Sequence, residues 1–121
     1  MAEEDFDVAS NEMARGDKAP FAAVGFHSQQ CVEKYLKALL VLHSVDFPKT
    51  HDLQALVGMV PPSSGLNLSL ADMNLLSSYS IEGRYPGDWD PPTRKEAEEA
   101  LETARKAREA VRKCLPKEFL V

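Results

Sequence analysis

The uninterrupted segment from Pro20 to Ser44 constrains the fold more than any other part of the chain. Pro20 suits a first helical turn, where its missing N–H would have no partner in any case, and no other proline follows within the segment. Apolar residues cover much of the helical circumference: Val24, Cys31, Tyr35, Ala38 and Leu42 on one face, widened by Val32, Leu36, Leu39 and Leu40. A helix that is apolar on so many sides is typical of the centre of a helical domain. We therefore expect a long central helix with other helices packed around it.

Four further segments carry helical signals. They cover about residues 3–15, 53–60, 70–81 and 94–115. Capping residues stand at the starts of the last three helices: Thr50 or Asp52, then Ser69, then Thr93 with Glu96. No segment alternates polar and apolar residues over enough positions to form a strand. The sequence thus predicts an all-α bundle of about five helices, with a long central second helix, in a single domain of residues 1–121.

Two of these helices carry more detailed expectations. The inner residues expected for the fourth helix are Leu70, Met73, Leu76 and Ile81. In the last helix, the ion pairs expected from spacing are Glu102 with Lys106 and Glu109 with Lys113, each four residues apart in the favourable order. The same helix has an alanine-rich face, whose small side chains allow a neighbour to come close.

The charge balance limits the classes of partner. The net charge of the 121 residues is -5, from 19 acidic and 14 basic side chains, which argues against broad coating of nucleic acid or of an anionic membrane. A local basic site remains open. The acidic N-terminus does not resemble a signal peptide, and the longest aliphatic run, Ala38 to Leu42, is far shorter than a membrane span. We expect a cytoplasmic protein in which Cys31 and Cys114 are reduced thiols.

One stripe of the central helix stays polar, and we call His27, Gln30, Lys34 and Lys37 the polar stripe. Helical geometry places these side chains within an arc of roughly 80°. His51 precedes the third helix, and Arg84, with Tyr85 beside it, stands in a loop rich in proline and glycine, so both can close over the stripe. Such cations suit phosphate oxygens. Because His27 and Lys37 are roughly 15 Å apart along the axis, a nucleotide or a polymer backbone fits better than one phosphate.

Other interpretations of the polar stripe do not involve an anion-binding cleft. Glu33, at the edge of the stripe, can neutralise Lys37 or Arg84 in an internal ion pair and leave no site at all. The stripe can also be a solvated helix face. A metal site is not predicted, because neither His-x-x-x-His nor Glu-x-x-His occurs, and no glycine-rich phosphate loop is present. No cofactor and no catalytic residue is predicted from these patterns.

The chain resembles the HEPN family of small all-α domains. The first matching stretch is Phe26-His27-Ser28-Gln29-Gln30-Cys31-Val32-Glu33-Lys34-Tyr35-Leu36-Lys37-Ala38-Leu39-Leu40. Phe47-Pro48-Lys49-Thr50-His51-Asp52-Leu53 and Arg84-Tyr85-Pro86 follow in the same order and with similar spacing. The resemblance covers nearly the whole chain. It implies an up-and-down helical bundle that commonly forms a homodimer, a role in nucleotide or RNA binding, and pairing with a small nucleotidyltransferase in toxin–antitoxin-like systems.

The resemblance stops short of the family's ribonuclease motif, an Arg followed four to six residues later by His on a late helix. All three histidines precede every arginine except Arg15, which is too far from His27. We therefore expect a nucleotide- or RNA-binding and partner-binding module rather than an enzyme. The alternatives are a metal-independent ribonuclease using His27 or His51 as general base, and a purely structural dimerisation bundle. The expected ligand-binding residues are His27, Gln30, Lys34, Lys37, His51, Arg84 and Tyr85.

Overall fold

The computed structural model describes residues 2–79 and 92–116, and in these residues it contains five α-helices and no strand. The helices are α1 (Ala2–Met13), α2 (Phe21–Leu42), α3 (Leu53–Met59), α4 (Leu70–Ser77) and α5 (Arg94–Cys114). Short 3-10 turns lie at Gly16–Lys18 and Pro62–Ser64. The predicted all-α fold with a long second helix is confirmed.

α2 is the centre of the molecule, as its apolar circumference predicts. It contacts all four other helices, most extensively α5 and α1. Its fully buried apolar side chains are Val24, Cys31, Val32, Leu36, Leu39 and Leu40. Ala38, expected on the apolar face, is exposed, because it lies at the edge of the polar stripe. The surrounding helices therefore leave only a narrow strip of α2 in contact with solvent.

The C-terminal end of α2 comes two residues earlier than predicted. Ser44 has φ 58, in the left-handed region, and the Val45 N–H bonds back to the Leu40 carbonyl at 2.9 Å. This is the bond that closes a helix when the following residue turns left-handed. The chain then leaves the helix toward α3, where the Asp52 side chain accepts from the backbone N–H groups of Gln54 and Ala55. His51 is thus held directly before a capped helix.

α5 packs against α2 through small side chains. Ala97, Ala100, Ala104, Ala107 and Val111 are its buried residues, and the predicted capping box of Thr93 and Glu96 is formed in both directions. The ion pairs on its outer face differ from the prediction. Arg105 bonds to both Glu102 and Glu109, at 2.5 and 2.8 Å, in place of Lys106 and Lys113. The guanidinium has several N–H groups in a fork and can serve both carboxylates at once.

α4 buries fewer residues than predicted. Met73 and Leu76 are buried, whereas Leu70 is 53% exposed. Three residues of a helix turn about 60° short of a full circle. Leu70 and Leu76 are two such steps apart, so they lie about 120° apart around the helix axis. Met73 and Leu76 take the inward positions, and Leu70 is left at the surface. Ile81, Arg84 and Tyr85 lie outside the described residues.

Gly25 of α2 lets the Tyr79 ring pack directly against the helix backbone. A Cβ atom added at Gly25 would overlap three atoms of this ring, which belongs to a buried side chain. Gly58, near the end of α3, is the contrasting case, because a Cβ there would meet no described atom within 4 Å. Substituting each glycine by alanine therefore tests a different effect: close packing at Gly25 and intrinsic helix propensity at Gly58.

We expect Gly25→Ala to lower the free energy of unfolding by about 1–3 kcal/mol, because the ring or the helix must shift. Gly58→Ala should raise it by up to about 1 kcal/mol, because alanine favours the helix and meets no obstacle. Chemical denaturation followed by circular dichroism measures both. A Gly25→Ala protein as stable as the parent would contradict the packing of Tyr79 against α2.

Candidate functional site

The polar stripe lies in a seam between α1 and the segment that leads into α3. The His27, Lys34 and Lys37 side chains are 29%, 42% and 25% exposed, and His51 is 35% exposed. The carboxylates that contact them are much less accessible, at 10% for Asp5 and 6% for Glu33. Acids therefore lie beneath this surface and bases lie at it.

Asp5 of α1 joins two members of the stripe, and we call Asp5, His27 and Lys34 the Asp5 cluster. Its Oδ1 atom lies 2.7 Å from His27 Nδ1, and its Oδ2 atom accepts from Lys34 Nζ at 2.5 Å. Burial raises the pKa of Asp5, but the hydrogen bonds from Lys34 and His27 outweigh it and the pKa is lowered. Asp5 is therefore an ionised acceptor, and the His27 Nδ1 atom that faces it carries a proton.

Glu33 of α2 holds the other two bases, and we call Glu33, His51 and Lys37 the Glu33 cluster. Its Oε1 atom lies 2.7 Å from His51 Nδ1, and its Oε2 atom accepts from Lys37 Nζ at 3.1 Å. Burial raises the pKa of Glu33, but hydrogen bonds from Gln29, His51 and Lys37 outweigh it and the pKa is lowered. Lys37 also lies 5.8 Å from the centroid of the Phe47 ring.

Two glutamines complete the Glu33 cluster from within α2. Gln29 is fully buried, and its Nε2 donates to Glu33 Oε1 at 3.0 Å and to the His51 carbonyl at 3.2 Å. Gln30 donates to Gln29 Oε1 at 2.8 Å. Gln29 thereby fixes both Glu33 and the backbone of His51, whereas Gln30 contacts the cluster indirectly.

The structure brings the expected site residues together in two groups rather than around one open cleft. His27 and Lys34 share Asp5, while Lys37 and His51 share Glu33. The Glu33–Lys37 ion pair, which the sequence offers as an alternative to an anion site, is formed. Arg84 and Tyr85, the other two expected members, fall outside the described residues.

Sequence reasoning missed Asp5 and Gln29 as members of the site. By sequence alone, Asp5 suits the positive N-terminal end of the α1 dipole, as Glu3 and Glu4 do. A usable signal existed, because Asp5 stands four residues before the fully buried Ala9 and so shares its inward face. For Gln29 the signal was its place between Val24, Val32 and Leu36, residues that spacing assigns to the core.

A third ionic cluster fastens α1 to the bundle. Glu3 accepts from Arg108 Nε at 2.7 Å and from its terminal NH2 at 2.5 Å, and the Tyr35 hydroxyl also donates to it. Arg112 donates to the Tyr35 hydroxyl at 3.0 Å. The Arg108 hydrogen bonds are the main reason why the pKa of Glu3 falls to about 2. Because Glu3 is two residues before Asp5, this contact with α5 also positions the Asp5 cluster.

In the described part of the chain, neither a group of metal-ligand side chains nor a membrane-spanning helix is found. Among residues 2–79 and 92–116, no three His, Cys, Asp or Glu side chains are grouped so as to hold a metal ion. No helix in that part combines the length and the apolar composition that a membrane span requires. The Asp5 and Glu33 clusters present lysine and histidine groups at the surface, oriented by ionised carboxylates.

Comparison with known proteins agrees with the fold. The model of the HEPN domain family matches residues 1–114. The crystal structure of TT1696 from Thermus thermophilus superposes with a TM-score of 0.77 at 27% sequence identity, covering 94% of this chain and 92% of that chain. No curated protein matches the chain.

We expect the Glu3 contact to make the free energy of unfolding depend on pH. The pKa of Glu3 is lowered from 4.5 to about 2, so its contribution is fully present above pH 4.5 and is lost as the pH falls toward 2. Asp5 and Glu33, whose pKa values are also lowered, act in the same direction. Melting temperatures between about pH 7 and pH 2 should fall less steeply for Glu3→Gln than for the parent.

Glu99→Gln, at an exposed position of α5, is the matched control and should follow the parent curve. Glu3→Gln should also melt at a lower temperature at neutral pH, because Arg108 loses its charged partner. Parallel curves for the parent and Glu3→Gln would show that this contact adds no acid-sensitive stability.

Proposed function

We propose a function for this chain from one established premise: it belongs to the HEPN domain family. Membership associates the chain, in general terms, with nucleotide- or RNA-related modules. We infer more specifically that it is a nucleotide- or RNA-binding and partner-binding module. His27, Gln30, Lys34, Lys37 and His51 would form the phosphate-contacting surface, and Arg84 and Tyr85 would join them.

The observation that carries this proposal is the layering of charge at the stripe. Asp5 and Glu33 are nearly inaccessible, whereas Lys34 and His51 are about a third or more exposed. A polyanion approaching this seam would meet the lysine ammonium group and the histidine ring before it met either carboxylate. The buried carboxylates hold those groups in place before any ligand arrives, which lowers the entropic cost of binding.

The length of the stripe favours an oligonucleotide over a mononucleotide. His27 and Lys37 are separated by ten residues of one continuous helix, or roughly 15 Å. That distance spans more than one phosphate of an extended strand. A mononucleotide would engage one end of the stripe, and a single-stranded RNA could engage both.

A second candidate activity is metal-independent RNA cleavage. Each histidine of the site has its Nδ1 atom 2.7 Å from a carboxylate oxygen, the arrangement that orients an imidazole as a general base. The missing Arg-x4-6-His motif weighs against it. We therefore place binding first and treat cleavage as a measurable alternative.

We expect Lys34→Gln/Lys37→Gln to weaken RNA binding, because it removes two cations while the glutamine amides can still donate to Asp5 and Glu33. The probe is a fluorescein-labelled single-stranded oligouridylate, followed by fluorescence anisotropy over a range of salt. Removing two phosphate contacts should make the slope of log K against log salt shallower by about 1.4. Adenosine triphosphate, tested by thermal shift, addresses the mononucleotide alternative.

The matched control is Lys95→Gln/Lys113→Gln, which changes the net charge equally at exposed positions of α5. It should bind as the parent does. Equal affinity and salt slope for the parent and the Lys34/Lys37 variant would overturn the site. Gel analysis of the same RNA after incubation decides whether it is cleaved, and loss of cleavage in His27→Ala or His51→Ala would be required for the second candidate.

The finer part of the proposal concerns assembly. We propose a homodimer and, from the resemblance to toxin–antitoxin-like systems, a small nucleotidyltransferase as partner; a gene for one beside this gene would favour that pairing. The apolar circumference of α2 does not by itself require a dimer, because α1, α3, α4 and α5 bury most of it within one chain. Support comes instead from α4, which buries Met73 and Leu76 yet leaves Leu70 and Leu75 53% and 54% exposed.

We expect light scattering at micromolar concentration to give a mass of about twice the 13.4 kDa of one chain. Leu70→Glu/Leu75→Glu should shift that mass toward the monomer, because it places charges on the two exposed leucines of α4 that we assign to the interface. Glu substitutions at the exposed Ala14 and Ala38 should leave it unchanged. A monomer in the parent protein would contradict the proposed homodimer.

A further inference from the structure

The Asp5 and Glu33 clusters have the same composition, although they draw their residues from different elements. Each contains one poorly accessible carboxylate, one lysine and one histidine. With a neutral histidine the charges of each cluster add to zero, and with a protonated histidine they add to +1. Histidine is the side chain whose charge normally changes between about pH 5 and pH 8.

Protonation also changes the hydrogen-bonding role of His27. Its Nδ1 proton is directed at Asp5 Oδ1 at 2.7 Å, so the neutral ring has Nε2 as an acceptor. An acceptor repels a phosphate oxygen. When the ring is protonated, Nε2 becomes a donor while the Nδ1 contact with Asp5 is kept. The carboxylate thus ensures that the second proton appears on the nitrogen that is directed away from Asp5 and can meet a ligand.

Among the described residues, charged groups near the two histidines come from α1, α2 and the start of α3. Around His27, α1 contributes Asp5, with Glu4 acting on the same Lys34, and α2 contributes Lys34 itself. Both carboxylates at the cluster centres have lowered pKa values, so they stay ionised while a histidine titrates. Around His51, α2 contributes Glu33 and Lys37, and Asp52 follows at the cap of α3.

We propose that the polar stripe binds RNA in a pH-dependent manner, with protonation of His27, supported by His51, strengthening its contact with phosphate. This inference rests on the proposed RNA-binding function and specifies its regulation. A mildly acidic pH would give the two clusters up to two additional positive charges and would give His27 a new N–H donor toward the strand. A rise in pH would return both clusters to neutrality and weaken the complex.

The test measures the affinity of the labelled oligouridylate at about pH 8 and about pH 5.5 at constant ionic strength. We expect the parent to bind about tenfold more tightly at the lower pH, since a hydrogen bond from a charged donor is stronger than one from a neutral donor. His27→Gln/His51→Gln should change less than about twofold. His43→Gln, which removes the third histidine at the C-cap of α2, is the matched control and should keep the parental change.

Calorimetry of the unmodified protein gives a second measurement that does not depend on a variant. Near pH 6.5, binding should be accompanied by net proton uptake, seen as a dependence of the observed heat on the ionisation enthalpy of the buffer. Binding without proton uptake, or with the same affinity at both pH values, would overturn the inference and leave the proposed RNA-binding function intact. An undiminished pH response in His27→Gln/His51→Gln would also overturn it. Absence of RNA binding at both pH values would overturn the function and the inference together.

Discussion

The arrangement at the polar stripe depends on two carboxylates that folding removes from water. An ionised carboxylate in a poorly solvated position costs several kcal/mol unless cations or N–H donors surround it. Asp5 and Glu33 are about 10% and 6% exposed, and each is surrounded by a lysine and a histidine. Since the acids must keep these partners, the bases cannot move freely over the surface. The position of the basic groups is therefore a consequence of packing rather than of attraction to a ligand.

The docking of α1 is what makes the first of these clusters possible. Asp5 reaches His27 and Lys34 of α2 only while α1 lies against the bundle. Ala9 is fully buried in that contact, and Glu3 is held by Arg108, whose guanidinium also lies 4.8 Å from the centroid of the Phe6 ring. Apolar packing at Ala9 and the ionic contacts of Glu3 and Asp5 thus hold α1 against the bundle. Any event that releases α1 would separate Asp5 from both of its basic partners.

The sequence predicts the architecture well because the relevant signals are local and periodic. The long second helix, the Asp52 and Ser69 caps and the Thr93–Glu96 capping box all appear as expected. Exposure within short helices was harder to predict, as Leu70 shows. Spacing also failed to predict that Arg105 bonds to Glu102 and Glu109, because two lysines stood at equally suitable positions.

The site was only half predictable, for a different reason. Helical spacing places the polar stripe along one side of a single helix, but it cannot say which acid from another helix will lie beneath its members. Asp5 is 29 positions from Lys34, and their contact depends on how α1 crosses α2.

A protein of net charge -5 can still attract an anion at one place, because charge acts locally. In physiological salt the field of an exposed charge is largely screened beyond about 8 Å, so acids on the outer face of α5 scarcely affect the stripe. The carboxylates that do matter are those within hydrogen-bonding distance, and they cancel the lysine charges when the histidines are neutral. Binding to polyanions in general is then weak, and contact depends on donors held at fixed positions. The same ion pairs that argue against an indiscriminate basic patch are compatible with a selective one whose strength follows the charge of its histidines.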